Sequence, residues 1–417
     1  MSAKTVKIII GIIIVAAIGG AGYYWYFYVQ NPTIDENGDV VSPFEFSPFG
    51  RTPAVTQPVT QNPGTQPEQE TPVVTNEPLK LAVLRQLSST PVAGVSASST
   101  ASSTVVRYID KGTGHIYETS DLTNEIKKIS NTTLPKIYES YWNKNLNAFV
   151  LRYLRDESDT ISNFYAELRT TGTSTSETPY EIKGRYLSPD INQVAVSPSG
   201  DKIFTWNIEN GRGAGYTSAF DEKTKIRVVE TPITQVVTDW PEANTVTIAT
   251  KASGSASGFF YGIDVKTGIM RKIVGGLTGL SAKLSKDATK TLYSTGGKTI
   301  KTFYTSAKDG SVQESLFKTI ADKCVWSSLR KNEVYCAVPT ELPDAMYPDD
   351  WYKGKISFID QIWHLDTTTG EVHLLANLLD LSNKLIDATD LTLDPKENFL
   401  YFINKRDLSL WSLDLNQ

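Results

Sequence analysis

Histidine and cysteine are scarce: 3 and 2 residues in a chain of 417. His115, His364 and His373 stand alone, with no HExxH spacing, and so few ligands spread this widely disfavour a Cys/His zinc site. No large excess of positive charge exists either, since the formal net charge is −5. Nucleic-acid binding draws most of its affinity from phosphate neutralisation, so that class of partner is disfavoured. An acidic balance permits contact with cationic groups or divalent ions without demanding it. Two motifs that look chemical are incomplete. Gly254-Ser-Ala-Ser-Gly258 holds Ala256 where a nucleophile elbow needs serine, and Gly211-Arg-Gly-Ala-Gly215 lacks the Lys-Ser/Thr and following helix of a phosphate loop. Both read as ordinary loops. The residues thus supply no catalytic cluster, no metal site and no cofactor motif. Residues 105–417 also lack a convincing long amphipathic helix.

One long apolar run is present. Lys4 and Lys7 precede an almost uncharged stretch, residues 8–29, about the length that crosses a bilayer as a helix. It ends in Tyr23, Tyr24, Trp25, Tyr26, Phe27 and Tyr28, rings that settle where hydrocarbon meets headgroup. The lysines favour a cytoplasmic N-terminus, which places the rest of the chain outside the membrane. Residues 17–22 would suit a cleavage site, but the apolar run continues through bulky aromatics. A retained anchor is therefore the favoured reading, with a cleaved signal or a buried helix as alternatives.

Residues 30–78 change character. Proline recurs at positions 32, 43, 48, 53, 58, 63, 67, 72 and 78 among Thr, Gln and Val. Proline lacks a backbone donor and keeps the chain extended, so this stretch reads as a disordered stalk. Phe44, Phe46 and Phe49 interrupt it as loosely placed apolar residues. The acidic Asp35-Glu-Asn-Gly-Asp39 is too short for a calcium loop and lacks its closing Glu. Residues 88–104 are Ser/Thr/Ala-rich and low in complexity, whereas 79–87 are more apolar. The folded domain is therefore expected to begin near residue 79.

Beyond it, short runs of Val, Ile, Tyr, Phe and Trp alternate with Gly, Pro, Asn, Asp and Ser turns, as in an all-β domain. Residues 124–130 suit a hairpin return as well as a short helix. Turns recur before apolar strands, as Leu187-Ser-Pro-Asp190, Val196-Ser-Pro-Ser-Gly200, Leu284-Ser-Lys-Asp287 and Leu393-Asp-Pro-Lys396. Acidic turns follow later in each module, as Ile263-Asp-Val-Lys-Thr-Gly268 and Leu365-Asp-Thr-Thr-Thr-Gly370, with Phe220-Asp-Glu-Lys-Thr224 a weaker copy. Equivalent points lie roughly 40 to 55 residues apart, the range of a four-stranded propeller blade.

This paired turn pattern resembles the TolB-like or WD40-like family of β-propeller repeats over residues 105–417. The repeat is degenerate: only the turn at Ser197 to Gly200 keeps its glycine, and no Trp-Asp dipeptide occurs. The expectation is a seven-bladed propeller of four-stranded antiparallel blades, preceded by one transmembrane helix and the Pro/Thr-rich stalk. Blades are expected at 91–130, 135–186, 191–230, 235–274, 277–318, 323–375 and from 385 onward. Six or eight blades, or a pair of β-sandwiches, remain as alternatives. The last blade holds only three strands, and residues 79–87 would supply the fourth and close the ring, covering edges that would otherwise seek partners.

Cys324 and Cys336 flank a segment that turns near Arg330, so they face each other across a hairpin. A structural disulfide is expected outside the cytoplasm, two buried free thiols being the alternative. Residues 339–354 depart from the repeat as an insertion in the sixth blade. Glu341, Asp344, Asp349 and Asp350 stand there beside Tyr347, Trp351 and Tyr352. Rings with carboxylates suit a recognition surface; the other reading folds the rings back over the blade edge.

The leading expectation is a non-catalytic, membrane-anchored protein that recognises a protein, peptide or cell-envelope polymer at a prokaryotic cell surface or in a periplasm. A hydrolase or lyase in the central channel is the alternative, and it requires ionisable side chains converging at the innermost strands. A structural part in an envelope assembly is the third reading. The resemblance implies it, although TolB-like proteins are soluble and this chain carries an apparent anchor and stalk.

Overall fold

The computed structural model describes residues 33–34, 40–41, 82–155, 160–170 and 179–416. The expected anchor, residues 1–29, and nearly all of the expected stalk lie outside the described residues. Among the described residues, no helix is long and apolar enough to cross a membrane. Two compact units divide the chain, residues 1–75 and 76–417. In the first, the described residues form one short antiparallel pair, Thr33–Ile34 with Val40–Val41. All other described residues belong to the second.

That unit is a seven-bladed β-propeller, each blade a four-stranded antiparallel sheet. Blades 1 to 6 span residues 92–130, 137–186, 191–231, 236–278, 281–314 and 324–377. Blade 7 takes three strands from residues 388–414 and its outermost strand, Leu84–Ser88, from the other end of the domain. Leu84 faces Leu413, and the Asp414 amide donates to the Val83 carbonyl at 2.8 Å. Tyr108 of blade 1 donates its hydroxyl to the Leu87 carbonyl, so the closing strand also grips the next blade. The Ser/Ala-rich residues 92–99 form the first strand of blade 1, and Lys127–Ser130 is that blade's outer strand rather than a helix.

Burial explains which sequences build which strands. Second strands sit between neighbouring blades and hide both faces, so they read as nearly continuous apolar runs: Ala148–Leu154 and Glu333–Pro339 are buried almost throughout. Outer strands face solvent and lose that signature, as in Val312–Glu314 and Ile226–Thr231. The core is a series of clusters between blades. Phe204, Trp206 and Trp240 join blades 3 and 4, while Tyr304, Phe317 and Trp326 join blades 5 and 6.

The recurring turns have a common mechanism. Asp264 accepts from the amides of Lys266 and Thr267 and from the Thr267 hydroxyl, and Gly268 follows at φ +73°, where other residues are strained. At the opposite kind of turn, Ser197 and Ser285 accept from the amides of Lys202 and Lys290, starting the second strands of blades 3 and 5. Cys324 and Cys336 are direct cross-strand partners, with Cα atoms 4.1 Å apart and the sulfurs bonded.

First strands of successive blades touch one another around most of the ring and so surround its axis. At one junction, blade 5 sets its first strand chiefly against the second and third strands of blade 4. Register shifts interrupt the first strands of blades 1, 2, 3, 4 and 7. Such bulges re-aim single side chains. In blade 7 the shift falls at Asp390, which holds φ +52°.

Candidate functional site

The insertion of blade 6 is fastened down at several points. Its one-turn helix, Asp349–Tyr352, lies in the connection between the second and third strands. Asp349 accepts from the Ser253 hydroxyl at 3.0 Å and the Gly254 amide at 2.5 Å in blade 4. Tyr347 exchanges backbone hydrogen bonds of 2.7 and 2.8 Å with Gly297 in blade 5. Glycine is required beneath it: a Cβ at Gly254 or Gly296 would stand 2.5 or 2.2 Å from the Tyr347 carbonyl oxygen. The glycine-rich 254–258 motif is thus a seat for this insertion.

The seven residues singled out there do not share one surface. Tyr347 and Trp351 are 1% and 3% exposed, stacked with Phe358, so these rings belong to the core. Asp349 and Asp350 are engaged within the fold, the latter by the Met346 amide and by Lys355 at 3.0 Å. Glu341 and Asp344 are exposed, Asp344 lying 3.6 Å from Lys298. Tyr352 alone among the rings reaches solvent, and it donates its hydroxyl to Asp322. Sequence spacing brought the seven together; the fold sends their side chains in different directions.

Beneath the helix lies a fully buried ionic cluster. Lys323 donates to Asp360 at 2.8 Å, to Asp387 at 2.5 Å and to the Ala388 carbonyl at 2.8 Å. Asp387 also accepts from the Trp351 indole and the Phe358 amide, each at 2.9 Å. Lys405 sits over the Trp351 ring, 5.2 Å from its centroid. Desolvation, with Asp387 nearby, raises the Asp360 pKa to about 6 against the pull of Lys323. Removing one partner from such a buried set is far more damaging than its presence is stabilising. The cluster ties the start of blade 6 to the start of blade 7, and the insertion to both.

Ionisable residues of a second set, drawn from several blades, influence one another electrostatically. Asp390, on the first strand of blade 7, interacts electrostatically with Lys283 of blade 5, Glu139 of blade 2, Asp322 before blade 6 and Lys111 of blade 1. Lys111 is in turn influenced by Glu139 and Asp390, and it donates to the Tyr138 carbonyl at 3.2 Å. Asp322 accepts from the Ser281 hydroxyl at 2.5 Å as well as from Tyr352. Glu139 accepts from Arg152 at 2.6 Å and from Tyr141 at 2.8 Å.

Asp390 and Tyr352 both reach water, yet desolvation is the largest influence on each and raises both pKa values. Protein thus surrounds each group closely enough to disfavour its charged form, although part of each side chain meets water. Desolvation likewise lowers Lys111, against the two carboxylates. Acids shifted up and a lysine shifted down within one electrostatic set mark it as a candidate functional site.

Sequence reasoning missed this set because its members come from five separate blades. A signal existed: Glu139, Lys283 and Asp390 are ionisable residues within first strands, Ile137–Trp142, Ser281–Leu284 and Ala388–Leu393. Among the described residues no group of three or more His, Cys, Asp or Glu is placed to hold a metal ion.

No family model matches this sequence, and no curated protein matches it. Solved structures do. The GH74 enzyme of Niastella koreensis aligns with a TM-score of 0.53 at 11% identity, over 80% of this chain and 54% of that one. The hydrazine synthase of Kuenenia stuttgartiensis gives 0.44 at 16% identity, over 68% and 78% of the two chains. TolB from Acinetobacter baumannii gives 0.41 at 14%, over 82% and 86%. The likeness to the Niastella koreensis enzyme shows the fold alone; function must be argued from the site.

Proposed function

We propose that the propeller takes a polar ligand at the mouth of its central channel, and that residues 8–29 hold it at a membrane with the domain outside the cytoplasm. The ligand class is a peptide or a cell-envelope polymer. One observation supports the choice of site: ionisable groups from blades 1, 2, 5 and 7, with Asp322, influence one another across the ring, and Asp390 and Tyr352 meet water although desolvation dominates both. Convergent ionisable groups with perturbed ionisation are where a ligand is first sought. The insertion contributes Tyr352 to this set, while Tyr347 and Trp351 are buried in the fold.

A catalytic reading, hydrolase or lyase, is favoured over a passive scaffold by Asp390. A carboxyl that keeps its proton to higher pH, beside a lysine that loses its own more readily, is the pairing general acid–base chemistry needs. Recognition without turnover remains the second reading, since no activated nucleophile accompanies the pair among the described residues.

The test uses the full-length chain in detergent, with a panel of peptides and envelope-polymer fragments. Calorimetry would follow binding and mass spectrometry would follow product. Lys111→Ala should weaken binding at least about tenfold, the size of effect expected for an enclosed charged contact. Asp390→Asn should leave binding and remove turnover under the catalytic reading, or weaken binding alone under the recognition reading. Wild-type binding and turnover in both variants would place the site elsewhere.

A further inference from the structure

Away from the axis, the junction of blades 4 and 5 is incompletely filled. A cleft of about 870 Å³ opens there. Its cause is legible residue by residue. Where other junctions insert Trp206 with Trp240, or Trp326 with Phe317, this one opposes Thr245 and Gly262 with Ala288 and Thr291. Phe260, Leu280, Leu284 and Tyr293 fill part of the junction, and the remainder stays open. Ile269, Ile273 and Val312 line the cleft while 51%, 37% and 56% exposed. Between the two isoleucines, on the outer strand of blade 4, stand Arg271 and Lys272, which also line it. Neither makes an ion pair or side-chain hydrogen bond with any described residue. The acid in the cleft wall, Asp264, is already engaged by its own turn, where the Thr267 amide and hydroxyl hold its pKa down.

From this we infer a second binding site, independent of the channel mouth, that takes an acidic-apolar peptide segment of a partner protein. An apolar side chain of the peptide fills the space between Ile273, Leu284, Tyr293 and Val312, and a flanking carboxylate pairs with Arg271 and Lys272. The volume lies within the range that encloses a few side chains. Charge complementarity sets the class: the chain as a whole is acidic, and among the described residues these two cations have no ion-pair or side-chain hydrogen-bond partner beside exposed apolar surface. Burying the apolar anchor supplies affinity, while the cations select for acid and against base.

The probe is an array of short peptides combining Leu, Ile or Phe with Glu or Asp in varied order, beside matched arrays carrying Gln or Asn. Binding to the full-length chain would be read by fluorescence anisotropy. Acidic peptides should bind at least about tenfold more tightly than their amide counterparts, and Arg271→Glu with Lys272→Glu should reverse that preference. Gly262→Phe should fill the cleft and abolish binding. A Cβ at Gly262 meets no backbone, only the Ile273 side-chain tip at 3.2 Å and the Thr245 methyl at 3.5 Å. The surface pair Arg271 and Lys272 provides the check should the filled variant misfold. Asp390→Asn should leave this binding unchanged. Failure of every acidic peptide, equal binding of the amide set, or binding that survives the charge reversal would each overturn the inference.

Discussion

At the scale of single residues, burial decides more than residue type. Trp351 and Tyr352 are neighbours with opposite fates: the indole donates to Asp387 inside the fold, while the phenol reaches solvent and donates to Asp322. Trp351→Ala should therefore lower stability by roughly 3–5 kcal/mol, as for other buried aromatics. Tyr352→Phe should stay within about 1 kcal/mol of wild type. Denaturant titration reads both, and a stable Trp351→Ala protein would show that the ring is not core.

Asp360 gives a pH signature. Its pKa rises from 3.8 to about 6 on folding, so between those values the native state binds a proton that the unfolded chain releases. Stability should fall as pH rises through this window, by roughly 3 kcal/mol at most. Asp360→Asn should flatten that slope. Thermal midpoints measured at intervals from pH 4 to 6.5 would show it, and an unchanged slope in the variant would assign the titration to another group.

At the scale of elements, the closing strand carries the architecture. Leu84–Ser88 completes blade 7 and keeps the Leu410–Asp414 edge from standing open. Leu87, 2% exposed, packs with Val92, Tyr401 and Leu410, bridging the seam between blades 7 and 1. A chain starting at residue 90 should lose cooperative unfolding and self-associate through the freed edge, whereas one starting at residue 76 should not. Light scattering with a denaturation curve distinguishes the two. If the shorter chain stays monomeric and cooperative, the strand is dispensable.

The elements also show what was readable beforehand. Second strands such as Glu333–Pro339 announce themselves, because burial on both faces demands a run of apolar residues between turn signals. The strand Val92–Ser99 has no such run and is recognisable only from the blade spacing around it. The insertion was visible as a break in the repeat. The direction of its rings was not, because that depends on the pocket offered by Phe358, Asp387 and Lys323 from distant parts of the chain.

At the scale of the whole molecule, closing the ring brings together ionisable residues that no single segment contains. Lys111, Glu139, Lys283, Asp322 and Asp390 span much of the domain sequence and meet only because first strands surround one axis. The need for such a convergence was foreseeable from the fold; its members were not, since Glu139 and Asp390 lie at register shifts while Lys111 and Asp322 lie outside the first strands. The central claim is that this mouth is an enclosed ligand site, and a carboxyl carbon-13 NMR titration of the full-length chain addresses it most directly. The wild-type spectrum should contain an Asp390 signal, absent from Asp390→Asn, with a midpoint above the ordinary aspartate value and responsive to bound ligand. An Asp390 signal that titrates like an exposed aspartate, and ignores a ligand that the protein binds, would contradict the account.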